Sequence, residues 1–260
     1  MIYTGPPQNS IRKKIDSQNV IEAHALLKMN NIISENCIVH APYIINLASP
    51  REEVYKLAVD FLKLEISRVK ELGLKYLVLH PGSCLTLPRD EGTKKIIDGL
   101  NKVFENDNSN VVVLIETMSG KGSELGISLA EIKSIVEGVE KKNKIGICLD
   151  TCHLWDSGQD ISDPDLFLKE FKKYLDIDLI KAIHLNDSKN VFGARKDRHD
   201  NIGYGNIGFE ILSKWVHCQE FWNIPIILET PYFWFENKWK PPYKEEISML
   251  KNNSFKDFKK

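Results

Sequence analysis

The chain has 260 residues, 42% hydrophobic and 27% charged, with 35 basic against 36 acidic side chains. This is the size and composition of an ordinary globular α/β domain, and the even charge argues against a strongly basic nucleic-acid-binding tail. No apolar stretch approaches the ~18 residues of a membrane span, and MIYTGPPQNS lacks the basic and apolar regions of a secretory leader, so secretion is not expected.

From the N-terminus, Ile2 and Tyr3 read as the end of a strand entering its loop, and the run VH closes the next strand at His40. Val54, Leu57, Ala58, Phe61, Leu62 and Leu64 recur at helical steps, and Gly73 ends that helix where a left-handed backbone is useful. The strand YLVLH follows, then a helix marked by Ile96, Ile97, Leu100, Val103 and Phe104, then VVVLIE. Ser128 followed by Glu131 resembles a capping box for the helix of Ile132, Ile135 and Val136. After IGICLD, Pro164 and Asp165 start a helix predicted to reach Tyr174, and KAIH and PIILE complete the strands.

These strands are short and apolar without alternation, as in a parallel sheet covered on both faces. Strands alternating with helices predict an α/β fold of the TIM type, a (β/α) barrel. Seven strands are recovered, so the barrel is expected to lack its first βα unit; it is either open on one side or part of a longer chain. Without repeats or linkers, residues 1–260 read as one domain.

The polar residues closing the strands carry the chemistry. His40, His80, Glu116, Asp150, His184 and Glu229 each fall at or within a residue of a strand end, spaced 40, 36, 34, 34 and 45 apart. In such barrels the C-terminal strand ends converge on one mouth. His153 lies three residues beyond Asp150, and Asp197 and His199 form a DxH pair in a glycine-rich loop. In an extended loop, that i, i+2 spacing aims both side chains one way. A lone histidine at a strand end is ordinarily a hydrogen-bonded buried residue. Five of seven histidines and four carboxylates at one mouth, with no basic partners there, point instead to a multinuclear metal site. Mixed His/Asp/Glu ligation favours zinc ahead of manganese or iron. His24 and His217 fall in helical segments and read as structural. Cys148 is expected to pack in the core, and neither it nor Cys152 is expected to bind metal. Five cysteines with no close CxxC pair fit a reducing compartment: the cytoplasm, or a nucleus or virion for a eukaryotic or viral source. With the four strand-end and loop carboxylates set aside as ligands, 35 basic residues face 32 acidic ones, so a phosphate backbone is permitted as substrate without being implied.

The segments HAPYIINLASP, LVLHPGS, IETMSGKGSELG, CLDTCH, HLNDSK, RKDRHDNIGYGNIG and ILETP, in this order and spacing, resemble the endonuclease IV family of zinc-dependent abasic-site endonucleases. The resemblance runs from IYTGPP to LETPYF and implies three zinc ions. His40, His80 and Glu116 would hold the first. Glu116 would bridge to the second, completed by Asp150, His184 and Glu229; His153, Asp197 and His199 would hold the third. Glu116 and Glu229 would serve catalysis by holding the metals that activate the attacking water. The implied partner is double-stranded DNA with abasic sites, with no membrane role and a monomeric enzyme. Tyr43 and Ile44 match a family pair that wedges into the base stack, although a loop anchored in the core is the alternative. Gln8 falls near a family arginine that probes DNA, which puts that contact in doubt. Arg195, Lys196 and Arg198 would grip phosphates or lie solvated on the surface.

The activity implied is hydrolysis of the phosphodiester 5′ to an abasic site, leaving a 3′-hydroxyl and a 5′-deoxyribose phosphate, with 3′-end trimming as a second capacity. The competing readings are a single-metal sugar isomerase or epimerase on the same barrel, and a DNA-binding relic without catalysis.

Overall fold

The computed structural model describes residues 1–260, with the side chain of Ser17 outside the description. The chain forms two compact units, one of residues 1–116 and 122–148, the other of residues 117–121 and 149–260.

The first unit alternates strand and helix. Its parallel strands are β1 (Val39–His40), β2 (Tyr76–Leu79), β3 (Val112–Glu116) and β4 (Ile145–Asp150), the last of which ends in the second unit. Registers pair His40 with Val78, Leu79 with Ile115 and Glu116 with Cys148. Ile2 adds a parallel bridge to Val39. The helices are α1 (Val20–Met29), α2 (Glu52–Glu71), α3 (Arg89–Phe104) and α4 (Leu129–Gly138). Every residue of β4 is buried, as a strand covered on both faces must be.

Acidic residues open α2 and basic ones close it, complementing the helix dipole, and Gly73 follows with φ of 68°. Its core stripe runs through Tyr55, Ala58, Val59, Leu62, Ile66 and Val69. Leu57 and Leu64, expected on that face, are instead 55% and 42% exposed, because 100° per residue carries them off the stripe. Ser128 caps α4 by accepting from the Glu131 amide. The Glu131 carboxylate accepts from the Gly126 and Ile127 amides and pairs with Arg89, so it reaches one and two residues beyond the Ser128 amide that a strict capping box would use.

The N-terminal segment is fastened to α2 by a buried polar chain. Thr4 donates to Glu65, Arg12 donates to Glu65 at 2.6 Å, and Arg68 donates to both the hydroxyl and the carbonyl of Thr4. Glu65 is fully buried.

The second unit contains β5 (Ile180–His184) paired in parallel with β8 (Ile226–Ile227), His184 facing Ile227. Between them lies a short antiparallel pair, β6 (Asp187–Ser188) with β7 (His199–Asp200), followed by the hairpin β9 (Phe233–Phe235) and β10 (Lys238–Lys240). Its helices are α5 (Thr151–Ser157), α6 (Pro164–Phe171), α7 (Phe209–His217) and α8 (Tyr243–Lys251). Pro164 opens α6 with Asp163 as its cap, but the helix stops at Phe171 and turns continue to Tyr174. Strand β8 ends two residues before Glu229, so that glutamate sits in the following loop rather than on the strand. No helix among the described residues is long and apolar enough to cross a membrane.

Replacing Glu65 with alanine removes the carboxylate paired with the largely buried Arg12 side chain and leaves it only backbone carbonyls as acceptors. A loss of about 3–5 kcal/mol is expected, read as a lower urea midpoint at unchanged slope.

Candidate metal centre

In the first unit, His40 ends β1, His80 follows β2 and Glu116 ends β3. Their ligand atoms lie within 4.8 Å of one another. The Nε2 atoms of His40 and His80 are 3.2 and 3.1 Å from the same Glu116 oxygen, Oε2. The Nδ1 of His40 lies 2.6 Å from the Ala41 carbonyl, which only accepts. Nδ1 therefore carries a proton, and in the neutral imidazole the lone pair of Nε2 points at a carboxylate, so that two acceptors face each other.

The second unit repeats this arrangement. Asp150, His184 and Glu229 form one group, and Asp150, His153 and His199 form another. His184 Nδ1 is 3.1 Å from Glu229 Oε2. His153 donates Nδ1 to the Thr117 carbonyl at 2.8 Å, leaving its Nε2 directed at Asp197 Oδ1, 3.1 Å away. His199 lies with Nδ1 on the Glu229 carbonyl at 3.3 Å, and its buried Nε2 has no hydrogen-bond partner while facing Asp197 at 3.4 Å and Asp150 at 3.7 Å. Two ligands about 2.1 Å from one tetrahedral ion lie about 3.4 Å apart. The observed separations match that edge, and a divalent cation resolves the repulsion between facing lone pairs. The residues fit a metal.

Local structure aims these groups. Asp150 is both the last residue of β4 and the cap of α5: Oδ1 accepts the His153 amide at 2.7 Å, and Oδ2 accepts from Asn186 Nδ2 at 2.7 Å. Asn186 also accepts the Glu229 amide at 2.8 Å, and its backbone is clamped to Thr151. Pairing of Ser188 with His199 returns the DxH loop to the end of β5. That loop is not extended as the i, i+2 argument assumed: Arg195 and Asp197 have φ of 54° and 58°. Asp156 holds them there. Its buried carboxylate accepts from Ser188 Oγ, Asn190 Nδ2 and the Asp197 amide, and its carbonyl accepts the Arg195 amide. Backbone strain of this kind persists only where surroundings over-determine it.

Two further buried carboxylates tie the ligand loops. Asp187 accepts amides from Ser188, Gly203, Gly205, Ile207 and Gly208. A Cβ at Gly205 would lie 2.4 Å from the Ser188 carbonyl oxygen, so glycine is required there. Glu246 on α8 accepts from Asn201 Nδ2, the Ile202 amide and Thr230 Oγ1. Burial pushes both carboxyls above their usual range, against the pull of these donors. Asp156, Asn186, Asp187 and Glu246 were not singled out in the sequence; the HLND run directly after a strand-end histidine was the available signal for two of them.

Cys148 is fully buried in β4, as expected. Cys152 lies within ligand distance of Asp197 and His199, and burial and the charges of Asp150 and Asp156 push its thiol up. His24 and His217 contact the carbonyls of Leu72 and Leu250, the structural role expected of them. Tyr43 is 50% exposed, so the core-anchored alternative does not describe it. Its ring leans on those of His40 and His80, and its hydroxyl meets that of Tyr3 at 2.7 Å. Ile44 is half-buried, and Gln8, Arg195, Lys196 and Arg198 are exposed.

The profile of the AP endonuclease 2 family, described as a xylose isomerase-like TIM barrel, matches residues 1–253, and the chain belongs to this family. A probable endonuclease 4 of Malacoplasma penetrans is 52% identical over 99% of this chain and 88% of its own length. The crystal structure of endonuclease IV from Thermus thermophilus superposes with a TM-score of 0.79 over 96% of this chain and 86% of that one, at 24% identity. A D-tagatose 3-epimerase-like protein also shares the fold, with a TM-score of 0.69 at 23% identity over 92% of this chain and 83% of that one.

Converting Asp156 to alanine, which releases the Asp197 backbone, should weaken divalent-cation binding at this loop about 10–100-fold, measured by calorimetric titration of chelator-stripped protein. Stripping the wild-type protein of metal should itself lower the melting temperature, because the facing acceptors then repel without a cation between them.

Proposed function

We propose that this protein is a metal-dependent abasic-site endonuclease of DNA repair. It hydrolyses the phosphodiester 5′ to the lesion and leaves a 3′-hydroxyl and a 5′-deoxyribose phosphate, with 3′-end trimming as a lesser activity. The observation that carries this reading is the third ligand group. A single-metal isomerase has no use for His153, Asp197 and His199, yet here the Nε2 atoms of both histidines face the same Asp197 oxygen, at 3.1 and 3.4 Å. Kinship at 52% identity with a probable endonuclease 4, across nearly the whole chain, supports the same class.

In this reading nine residues would hold three zinc ions: His40, His80 and Glu116; Asp150, His184 and Glu229; and His153, Asp197 and His199. The ions, when bound, supply Lewis-acid activation of water and neutralisation of phosphate charge. Backbone carbonyls at Ala41 and Thr117 fix the tautomers of His40 and His153 so that Nε2 is the ligating atom. Asn186 donates to the Asp150 carboxylate and accepts the Glu229 amide, holding the two residues in register. Glu116 and Glu229 thus act as catalytic ligands, and four carboxylates leave net positive charge to meet a phosphodiester.

Arg195, Lys196 and Arg198 stand exposed around the ligand Asp197 and are assigned to the DNA backbone. Tyr43, half-exposed above the two histidines, and Ile44 beside it are assigned to the opened base stack. Gln8, exposed in the loop whose Pro7 carbonyl accepts the Tyr43 amide, accompanies them. The protein is assigned to the cytoplasm as a monomer, in keeping with its five free thiols.

The test is a duplex carrying one abasic analogue. Scission at that site is expected, with a fall of about 10³-fold in Glu116→Gln while the fold is retained. Intact duplex with wild-type, metal-replete protein, or one bound ion per chain with sugar isomerisation, would overturn the assignment.

A further inference from the structure

Tyr3 lies beside the first ligand group without belonging to it, and its backbone is pinned on both sides. The Ile2 amide donates to the Ile38 carbonyl and the His40 amide to the Ile2 carbonyl, both at 2.9 Å, so the preceding residue is laced to β1. The following residue, Thr4, is 2% exposed and bonded to Glu65 and Arg68, with Gln18 donating to its carbonyl. Both neighbours of Tyr3 are therefore fixed, one by the sheet and one by a buried polar network.

From that backbone the half-buried Tyr3 ring packs on the His40 imidazole, centroids 5.4 Å apart, and edge-on against Tyr43 at 6.1 Å. The two tyrosine hydroxyls meet at 2.7 Å. Tyr43 is the opposite case, an exposed ring on a loop, lying 5.5 Å from the His40 ring and 5.4 Å from that of His80. Apolar contact sets how closely such a ring sits but is non-directional, whereas a hydrogen bond fixes where its hydroxyl end points. Phenylalanine at position 3 would make the same ring contacts. What tyrosine adds is the link to Tyr43.

We infer that Tyr3 is a positioning residue for lesion recognition: held between β1 and the Thr4–Glu65–Arg68 network, it fixes the Tyr43 ring in one orientation over the His40–His80 pair before DNA arrives. Preorganisation of this kind removes the side-chain ordering cost that binding would otherwise meet. The inference rests on the endonuclease reading and on Tyr43 as the residue that enters the base stack.

The test is a double-mutant cycle in the full, zinc-loaded chain, with Tyr3→Phe, Tyr43→Phe and the two together. Tyr3→Phe should raise KM for a duplex carrying one abasic analogue about 2–10-fold at unchanged kcat. The double variant should be no worse than Tyr43→Phe alone, because either substitution already breaks the same bond. The same coupling should appear without cleavage, in affinity for the abasic duplex and in the signal of a fluorescent adenine analogue opposite the lesion, which reads opening of the stack. Zinc content should match wild type throughout. Additive effects of the two substitutions, or unchanged KM and affinity in Tyr3→Phe, overturn the inference while leaving the nuclease reading intact. A fall in kcat or in bound zinc at unchanged KM also overturns it, by assigning Tyr3 to the reacting atoms or to His40. Wild-type protein that binds the abasic duplex with the coupling intact but leaves it uncut overturns the nuclease reading alone. Equal wild-type affinity for abasic and intact duplex overturns both.

Discussion

A hydrogen-bond acceptor aimed at another acceptor is an arrangement that folding does not tolerate without cause. His40, His153 and His199 each place Nδ1 against a backbone carbonyl, which obliges that nitrogen to donate and turns the bare Nε2 toward a carboxylate oxygen 3.1–3.7 Å away. Neutral imidazole and ionised carboxylate repel at this range, and the desolvated setting offers little screening. Only a proton or a cation between them makes the contacts favourable. Repetition of the pattern at three histidines, in two groups, favours metal, and hydrogen bonds around the strand ends hold these pairs in place.

Much of that holding is done by buried anions that touch no candidate ion. Asp156 gathers a hydroxyl, an amide side chain and the backbone of Asp197. Asp187 gathers five backbone amides from the glycine-rich loop. A buried carboxylate without partners costs several kcal/mol, and here converging donors offset that cost. The loops consequently have one low-energy arrangement. It is the one in which Asp197 and His199 meet His153.

Sequence patterning reveals the strands and their terminal ligands because both follow from short-range rules. Apolar runs buried on two faces mark parallel strands, and polar residues at their ends have few other reasons to be there. Six of the seven expected strands, the helix starts at Ser128 and Pro164 and the roles of His24 and His217 follow in this way, while Ile2 makes a single bridge in place of the seventh strand. What escaped depends on partners distant in sequence. Asn186 bridges Asp150 and Glu229 across separations of 36 and 43 residues. The left-handed backbone at Asp197 is imposed by Asp156, 41 residues away. The hairpin β9–β10 follows no barrel periodicity, and the outward rotation of Leu57 and Leu64 requires knowing where the helix axis lies.

Glu246 has a consequence for the C-terminal part of the chain. From α8 it grips Asn201 and Ile202 just beyond one ligand and Thr230 just beyond another. The last helix is thus a keystone for His199 and Glu229 together. A substitution there, remote from any reacting atom, would be inherited by both loops in a single stroke. Drift along α8 is therefore constrained by chemistry it never touches.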